Sequence, residues 1–488
     1  MAKVSRRDFV RQSAAGIALT VPSGSAAVRG GRNKRKERAH VVKTSELSGK
    51  WVESLNTLPN FCAHEHWGSI QSVGMTAGDF RADMEPGATP VRRTSVWDLI
   101  LDPYLGGCIA NTGVDVNAFA KEAGETDFIS WWGRQPRAAF DAIRYHLERQ
   151  LFTGMFQCTR RGLLFLHGID IASMDLDEWM RADEAVGATY NDLFGWYRAA
   201  MERAHFSKLI RPVEPEFYLQ KQDDDMARKE LAFTHTVLRI DPLLGLWPAQ
   251  CPRRDALAAA VGVEPGDATS WRAFLDRLFE VAAAHGAVGI KQLQAYTRCL
   301  DFPQREDGEV RWSGGLTPDE IAAFQDWVVN ECCKRAHERG WPHQVHVGTH
   351  NLGRSSPLPL DGLARRYPNM KLVMIHCWPF LEEAGFLAKH APNIYIDTCW
   401  MPVLSPAFLE KALAAWLDYV PLHKMMCSHD STSVEMAVGS SLFTREILAE
   451  ALASRCGRLD LDPAYALRAS ADMLHNNAVR VYRIGQEK

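Results

Sequence analysis

Four short stretches of this chain place metal-binding side chains at the ends of apolar, strand-like runs. They read Ala63-His64-Glu65-His66, His343-Gln344-Val345-His346, Ile375-His376-Cys377 and Cys427-Ser428-His429-Asp430. In an extended chain, residues two apart point to the same side, so His64 and His66 can reach one ligand together. Imidazole nitrogens and a carboxylate suit zinc, manganese or iron(II). The chemistry such a set would support is the activation of water by a divalent ion, whose charge lowers the water pKa from above 15 to roughly 7–9. A single His-x-His pair is weak evidence, because such pairs also occur in cores and on surfaces. Four strand ends in the order His-x-His, His, His, Asp are much harder to obtain by chance.

These residues need a scaffold that gathers strand ends on one side. The chain alternates short apolar runs with longer helical patterns, which points to βα units and a parallel sheet. The expected strands are Leu58 to Ala63, Ser207 to Val213, His235 to Ile240, Ala287 to Leu293, Gln344 to Val347, Leu372 to Ile375, Asn393 to Ile396 and Lys424 to Cys427. Helical spacing of apolar residues fills segments such as Phe274 to Ala284 and Ile321 to His337. Eight parallel strands with intervening helices close a (β/α)8 barrel, whose active sites lie where the βα loops converge. The gap between the first two strands is far too long for one βα connection. Within it Phe140, Ile143, Leu147, Leu151, Phe152 and Met155 recur at helical spacing, and a further helix carries Trp196 and Met201. Residues 70–200 are therefore read as a large helical insertion after strand 1, at the mouth of the barrel. The alternative is a separate helical domain without a catalytic role.

Composition narrows the class. The chain has 488 residues, 46% of them hydrophobic, enough for a large core. Lys+Arg of 56 against Asp+Glu of 59 leaves a formal charge of -3, so no long-range field favours nucleic acid or an anionic membrane. No stretch approaches 18 consecutive apolar residues, and no membrane span is expected. The eleven cysteines are scattered, contain no CxxC, and read as small buried hydrophobes rather than a disulfide framework. Residues 1–40 are set apart from the fold. Ser5-Arg6-Arg7-Asp8-Phe9-Val10, the weakly apolar run Ser13 to Val21 and the small residues Ser25-Ala26-Ala27 resemble a twin-arginine export signal, followed by a basic linker from Arg29 to Arg38. That reading implies the twin-arginine export machinery as a partner and a periplasmic or exported protein. The plain alternative is a basic arm. Residues 41–488 are assigned to the barrel.

The pattern resembles the amidohydrolase superfamily, and within it the amidohydrolase-related branch (amidohydrolase family 2) that contains hydrolases and nonoxidative decarboxylases. The resemblance spans about residues 58 to 437. It rests on I-K-x-x-x-A-Y-x-R-x-L-x-F (Ile290 to Phe302), His346-Val347-Gly348, Pro368 to His376, Asn393 to Asp397 and Ser428-His429-Asp430. By that resemblance His64, His66 and His346 bind the metal, and Asp430 is both ligand and acceptor of the water proton, which it passes to the leaving group. His376 is then a catalytic group, a further ligand or the residue that holds the water. One divalent ion is implied, with zinc taken first and manganese or iron as alternatives. Lys291 lies near the place where some superfamily members carry a carbamylated lysine bridging two metals. The reading preferred is an uncarbamylated lysine pairing with substrate or a neighbouring carboxylate.

Arg298, Arg239 and Tyr296 join Lys291 as the substrate-binding set, since each arginine can grip a carboxylate with two parallel bonds. An ion pair with a neighbouring carboxylate is the alternative for each arginine. His429 points away from Asp430 if both lie on a strand. Trp67, Trp378 and Trp400 follow strand ends and can wall a pocket, or simply pack. The leading function is a metal-dependent hydrolase acting on a C–O or C–N bond of a small carboxylated substrate such as a lactone, ester or amide. A decarboxylase on the same ligands, a uronate-isomerase-like enzyme and an inactive ligand-binding barrel stay open, as does homo-oligomerisation.

Overall fold

Parallel strands that neighbour one another need a crossover on every connection, and helices supply it here. The computed structural model describes residues 49–68, 93–219 and 229–485. The expected export signal and the first part of the expected insertion lie outside these residues. Eight parallel strands are hydrogen-bonded in chain order: β1 (Asn60–Cys62), β2 (Phe206–Val213), β3 (Thr234–Arg239), β4 (Ala287–Gln292), β5 (Pro342–Val347), β6 (Lys371–His376), β7 (Ile394–Asp397) and β8 (Met425–Met426). The sheet curls until its two edges meet. Asp430 N donates to His64 O at 3.0 Å and His66 N donates to Ser431 O at 3.1 Å. The result is a (β/α)8 barrel, and the bonds across its seam join the two segments that carry the first and last of the sequence-derived ligands.

Burial on both faces explains the composition of the strands. On β5 every residue is buried. His346 and Gln344 turn inward, while His343 turns out to the helix Pro318–Arg339, where its Nδ1 lies 3.5 Å from Cys333 Sγ. That helix starts on a capping box between Thr317 and Glu320, with Pro318 in its first turn, and ends at Gly340 (φ 63°). Strands 1 and 8 are shorter than the sequence suggests. Lys424, expected to begin strand 8, instead sits in a 3-10 turn with its Nζ donating to the carbonyls of Ala391, Pro392 and Ile394 at 2.7–3.0 Å.

Between β1 and β2 the described residues are helical, from Trp97–Ile100 to Leu193–Arg203. Phe140, Ile143 and Leu147 form the buried face of Pro136–Glu148, as their spacing requires. The periodicity does not continue as expected. Phe152 is 99% exposed, because the chain turns at residues 149–153 and Thr153 caps a new helix, Gly154–His167. That helix crosses the one after β8, Val434–Leu459, at a pair of glycines. A Cβ on Gly162 would lie 1.8 Å from Glu435 O, and one on Gly439 would lie 1.8 Å from Cys158 O. Only glycine at both positions permits so close an approach. The buried carboxylate of Glu435 accepts from Tyr190 Oη at 2.8 Å and Trp196 Nε1 at 3.2 Å. The insertion is thus bonded to the helix that follows Asp430. Among the described residues, no helix is long and apolar enough to cross a membrane.

Candidate metal centre

Strands β5 to β8 end in backbone that ordinary residues avoid. Thr349 (φ 57°), Asn351 (45°), His376 (72°), Cys377 (59°), Trp400 (69°) and Asp430 (56°) are all left-handed. Such residues cost on the order of 1–3 kcal/mol each and persist where the surrounding structure holds them. Among them His376, Trp400 and Asp430 turn their side chains toward one another at the mouth of the barrel. β8 stops at Met426, so Asp430 lies four residues past the strand and its direction comes from its positive φ, not from strand alternation.

Asp430 is the hub. Its carboxylate lies 3.3 Å from His66 Nε2, 3.5 Å from His376 Nε2 and 3.9 Å from His64 Nε2, and it accepts from Tyr104 Oη at 2.8 Å. Partners fix two imidazole tautomers. Gln344 Nε2 donates to Ala63 O and Tyr482 Oη, which leaves its Oε1 to accept from His64 Nδ1 at 2.7 Å. His376 Nδ1 donates to Cys399 O at 3.0 Å. Both rings therefore turn an unprotonated Nε2 toward Asp430. Burial, and then the nearby Lys291 ammonium, hold His64 and His66 well below the usual histidine range; burial does the same for His376 and His346. Neutral imidazoles beside one carboxylate are the donor set a divalent ion requires. The residues present fit such an ion. Burial raises Asp430 to about 6, against the opposing pull of Lys291 and the Tyr104 bond.

The other residues singled out from the sequence divide. His346 meets the cluster through His376, with ring centroids 4.3 Å apart, while its Nε2 is hydrogen-bonded to Thr349 Oγ1 at 2.7 Å. Lys291 is buried, its Nζ 3.4 Å from His64 Nε2, and burial lowers it to about 8. Tyr296 is half-exposed, stacks on His350 at 4.2 Å and lies 4.7 Å from His346. The two arginines show the alternative left open for each, an ion pair with a neighbouring carboxylate. Arg298 donates to Asp326 Oδ1 at 2.6 Å and Asp301 O at 2.8 Å, and buried Arg239 is paired with Glu214 and with Asp241 at 2.5 Å. Each guanidinium is spent on carboxylates that packing brings alongside. His429 faces away from the cluster, 2.8 Å from Asn60 Nδ2 and 3.1 Å from Ser440 Oγ. Of the three tryptophans, Trp400 walls the site against His376, His350 and Tyr104, whereas Trp378 packs on Phe408 and Trp67 on Tyr197.

Three contributors were not found from the sequence. Tyr104 comes from the insertion, where no strand pattern marks it. It is held by Asp102, which accepts from Tyr104 N at 3.1 Å and Leu105 N at 2.7 Å, and from the Thr432 hydroxyl two residues past Asp430. Gln344 sits on a strand already identified but is not itself a ligand type. Cys399 stands just past the end of β7, and among the described residues it forms with His64 and Asp430 a set whose ligand atoms all lie within 4.8 Å of one another. The strand-end rule applied to the histidines would have found it.

A (β/α)8 barrel with neutral imidazoles and one carboxylate gathered at its strand ends defines a metal-binding class of barrel. The chain belongs to the Amidohydrolase family, whose model matches residues 192–484. Protein fluG of Emericella nidulans is 27% identical over 277 residues, covering 48% of this chain and 32% of the fungal protein, so the match spans about a third of that relative's length. Among solved structures, glucuronate isomerase from Caulobacter crescentus superimposes with a TM-score of 0.68 at 16% identity, covering 91% of this chain and 95% of its own. A uronate isomerase from Bacillus halodurans gives 0.63 at 17% identity, covering 90% and 97%. At these identities the likeness is one of fold.

Proposed function

We propose that this protein is a metal-dependent hydrolase that adds water across a C–O or C–N bond, as in a lactone, ester or amide, of a small carboxylated substrate. The observation that carries this reading is Asp430, a buried carboxylate facing three neutral imidazoles and a tyrosine hydroxyl. His64, His66, His376 and Asp430 would hold the ion, with His346 behind His376. A bound divalent ion, with zinc first and manganese or iron as alternatives, would polarise the substrate carbonyl and acidify a water molecule. Asp430 is placed to accept the water proton and return it to the leaving group. Tyr104 orients the carboxylate through its 2.8 Å bond. With Arg239 and Arg298 committed elsewhere, Lys291 is the cation left in the cluster for a substrate carboxylate. Trp400 and Tyr296 shield the mouth, excluding competing water and strengthening each of these contacts.

A second reading, an isomerase of uronate type, is favoured by two observations. The two isomerase structures match about nine-tenths of this chain, more than the barrel alone, and the insertion places Tyr104 opposite Asp430, a pair able to carry protons to and from adjacent atoms. A decarboxylase would use the same ligands. Product mass separates the three. Metal-loaded protein incubated with pooled lactones, esters, amides, uronates and aromatic acids is expected to yield one product heavier by a water from a cyclic substrate, or two products whose combined mass exceeds that of an open-chain ester or amide by one water. A product of unchanged mass, or release of carbon dioxide, would overturn the hydrolase.

A further inference from the structure

The backbone around Cys399 is held by bonds that turn its thiol toward Asp430, whose carboxylate accepts from it. Its N donates to Asp397 Oδ1 at 3.0 Å, and its carbonyl accepts from His376 Nδ1 at 3.0 Å. Asp397 in turn accepts from Ser428 N at 2.8 Å and Ser428 Oγ at 2.7 Å, which ties the end of β7 to the segment that leads into Asp430. Other buried thiols in the barrel spend themselves on structure. Cys62 Sγ reaches Glu65 Oε1 at 3.0 Å and His64 O at 3.3 Å, Cys377 Sγ reaches Met374 O at 3.6 Å, and Cys333 Sγ reaches the outward ring of His343. The Cys399 sulfur instead shares a 4.8 Å sphere with a nitrogen of His64 and an oxygen of Asp430, and all three residues are buried. A core position asks only for a small apolar side chain. A sulfur enclosed with an imidazole and a carboxylate is a donor set, and small side-chain rotations bring atoms within 4.8 Å of one another to the separations, at most roughly 4.6 Å, of donors bound to one zinc ion at about 2.0–2.3 Å.

We infer that Cys399 is a thiolate ligand of the metal ion at this site, alongside His64 and Asp430. The inference rests on the metal-centre reading above. Binding breaks the S–H bond and forms a metal–sulfur bond, and the proton leaves to solvent. A sulfur donor shifts the site toward zinc, cobalt and cadmium and away from magnesium and manganese, because thiolates prefer the softer ions.

Cobalt(II) reports the donor directly. The full-length protein, freed of metal and titrated with Co2+, is expected to show visible d–d bands together with a sulfur-to-cobalt charge-transfer band in the near ultraviolet, saturating together. Cys399→Ser and Cys399→Ala should lose the charge-transfer band and keep the d–d bands, while Cys62→Ser keeps both. X-ray absorption at the cobalt edge of the wild-type protein should find one sulfur at about 2.3 Å. That measurement decides the matter even where a variant fails to fold. Wild-type protein with d–d bands and no sulfur scatterer overturns the role of Cys399 and leaves the metal centre standing. Absence of every cobalt band overturns the metal centre and this inference with it.

Discussion

Replacing Asp430 and His429 in turn by asparagine separates chemistry from packing at two adjacent residues. Asp430→Asn keeps the shape and one acceptor oxygen for the Tyr104 hydroxyl, but it removes the charge and the proton acceptor. A general base or acid contributes about 10²–10⁴-fold, equivalent to about 3–5 kcal/mol of barrier. Stability should not suffer, because burial already disfavours the charged carboxylate and raises it to about 6. The melting temperature of metal-free Asp430→Asn is therefore expected to hold or rise. His429→Asn acts the other way. The ring is fully buried between Asn60 and Ser440, and shortening it breaks at least one bond and leaves a void, at a cost of about 1–3 kcal/mol. In a chain of this size that is a drop of no more than about 2–4 °C per kcal/mol, with turnover within a few-fold of wild type. The assays are thermal melts of both proteins without metal, and steady-state turnover on the substrate found by the product screen with metal content measured alongside. An inactive His429→Asn beside a fully active Asp430→Asn would refute the assignment of Asp430 as hub.

Tyr104→Phe deletes the 2.8 Å bond to Asp430, and a bond to a charged acceptor is worth about 1.5–3 kcal/mol, so kcat should fall roughly 10- to 100-fold with metal content unchanged; an unaltered kcat would leave the insertion without a part in the chemistry. Arg298→Met should lower stability by about 1–3 kcal/mol through loss of the Asp326 pair and leave KM within two- to three-fold, and a large rise in KM would return Arg298 to the substrate. His343 is held neutral by burial, at about 3 against an unfolded value near 6.5, so its contribution is complete above pH 6.5 and is lost as pH falls from about 6.5 toward 3. At pH 4.5 that single group destabilises the fold by about 2–3 kcal/mol, and denaturant curves of His343→Leu should show a correspondingly shallower acid limb than wild type. Replacing Arg6 and Arg7 by lysine should keep the protein in the cytoplasm on cell fractionation, since the export receptor reads paired guanidinium groups; unchanged export would mean the arm is not that signal.

Much of the scaffold is legible in one dimension because strand and helix periodicity is local. The apolar runs before His64, His346, His376 and Asp430 mark the strands, their βα order implies the barrel, and the barrel implies that strand ends converge. Helix caps such as Thr317 with Glu320 are local in the same sense. The insertion announces itself by length, although its helices break where spacing alone would run them on past Leu147.

What only the tertiary structure decided is which groups meet across sequence distance. Arg298 and Arg239 are ambiguous in sequence because an arginine's partner is chosen through space. Asp326 and Glu214 claim them once the helices and loops around β3 and β4 pack. The direction of Asp430 follows from a positive φ beyond the end of β8, stabilised by seam bonds from Asp430 N to His64 O and from His66 N to Ser431 O that no strand pattern encodes. Tyr104 reaches Asp430 because Asp102 ties its backbone to Thr432, two residues past Asp430, a contact across more than 300 residues of sequence. Cys399 is a small apolar residue by its neighbours in sequence. Its sulfur becomes a candidate ligand because the turn after β7, pinned by Asp397, aims it at His64 and Asp430, which the chain supplies from the segments that follow its first and last strands.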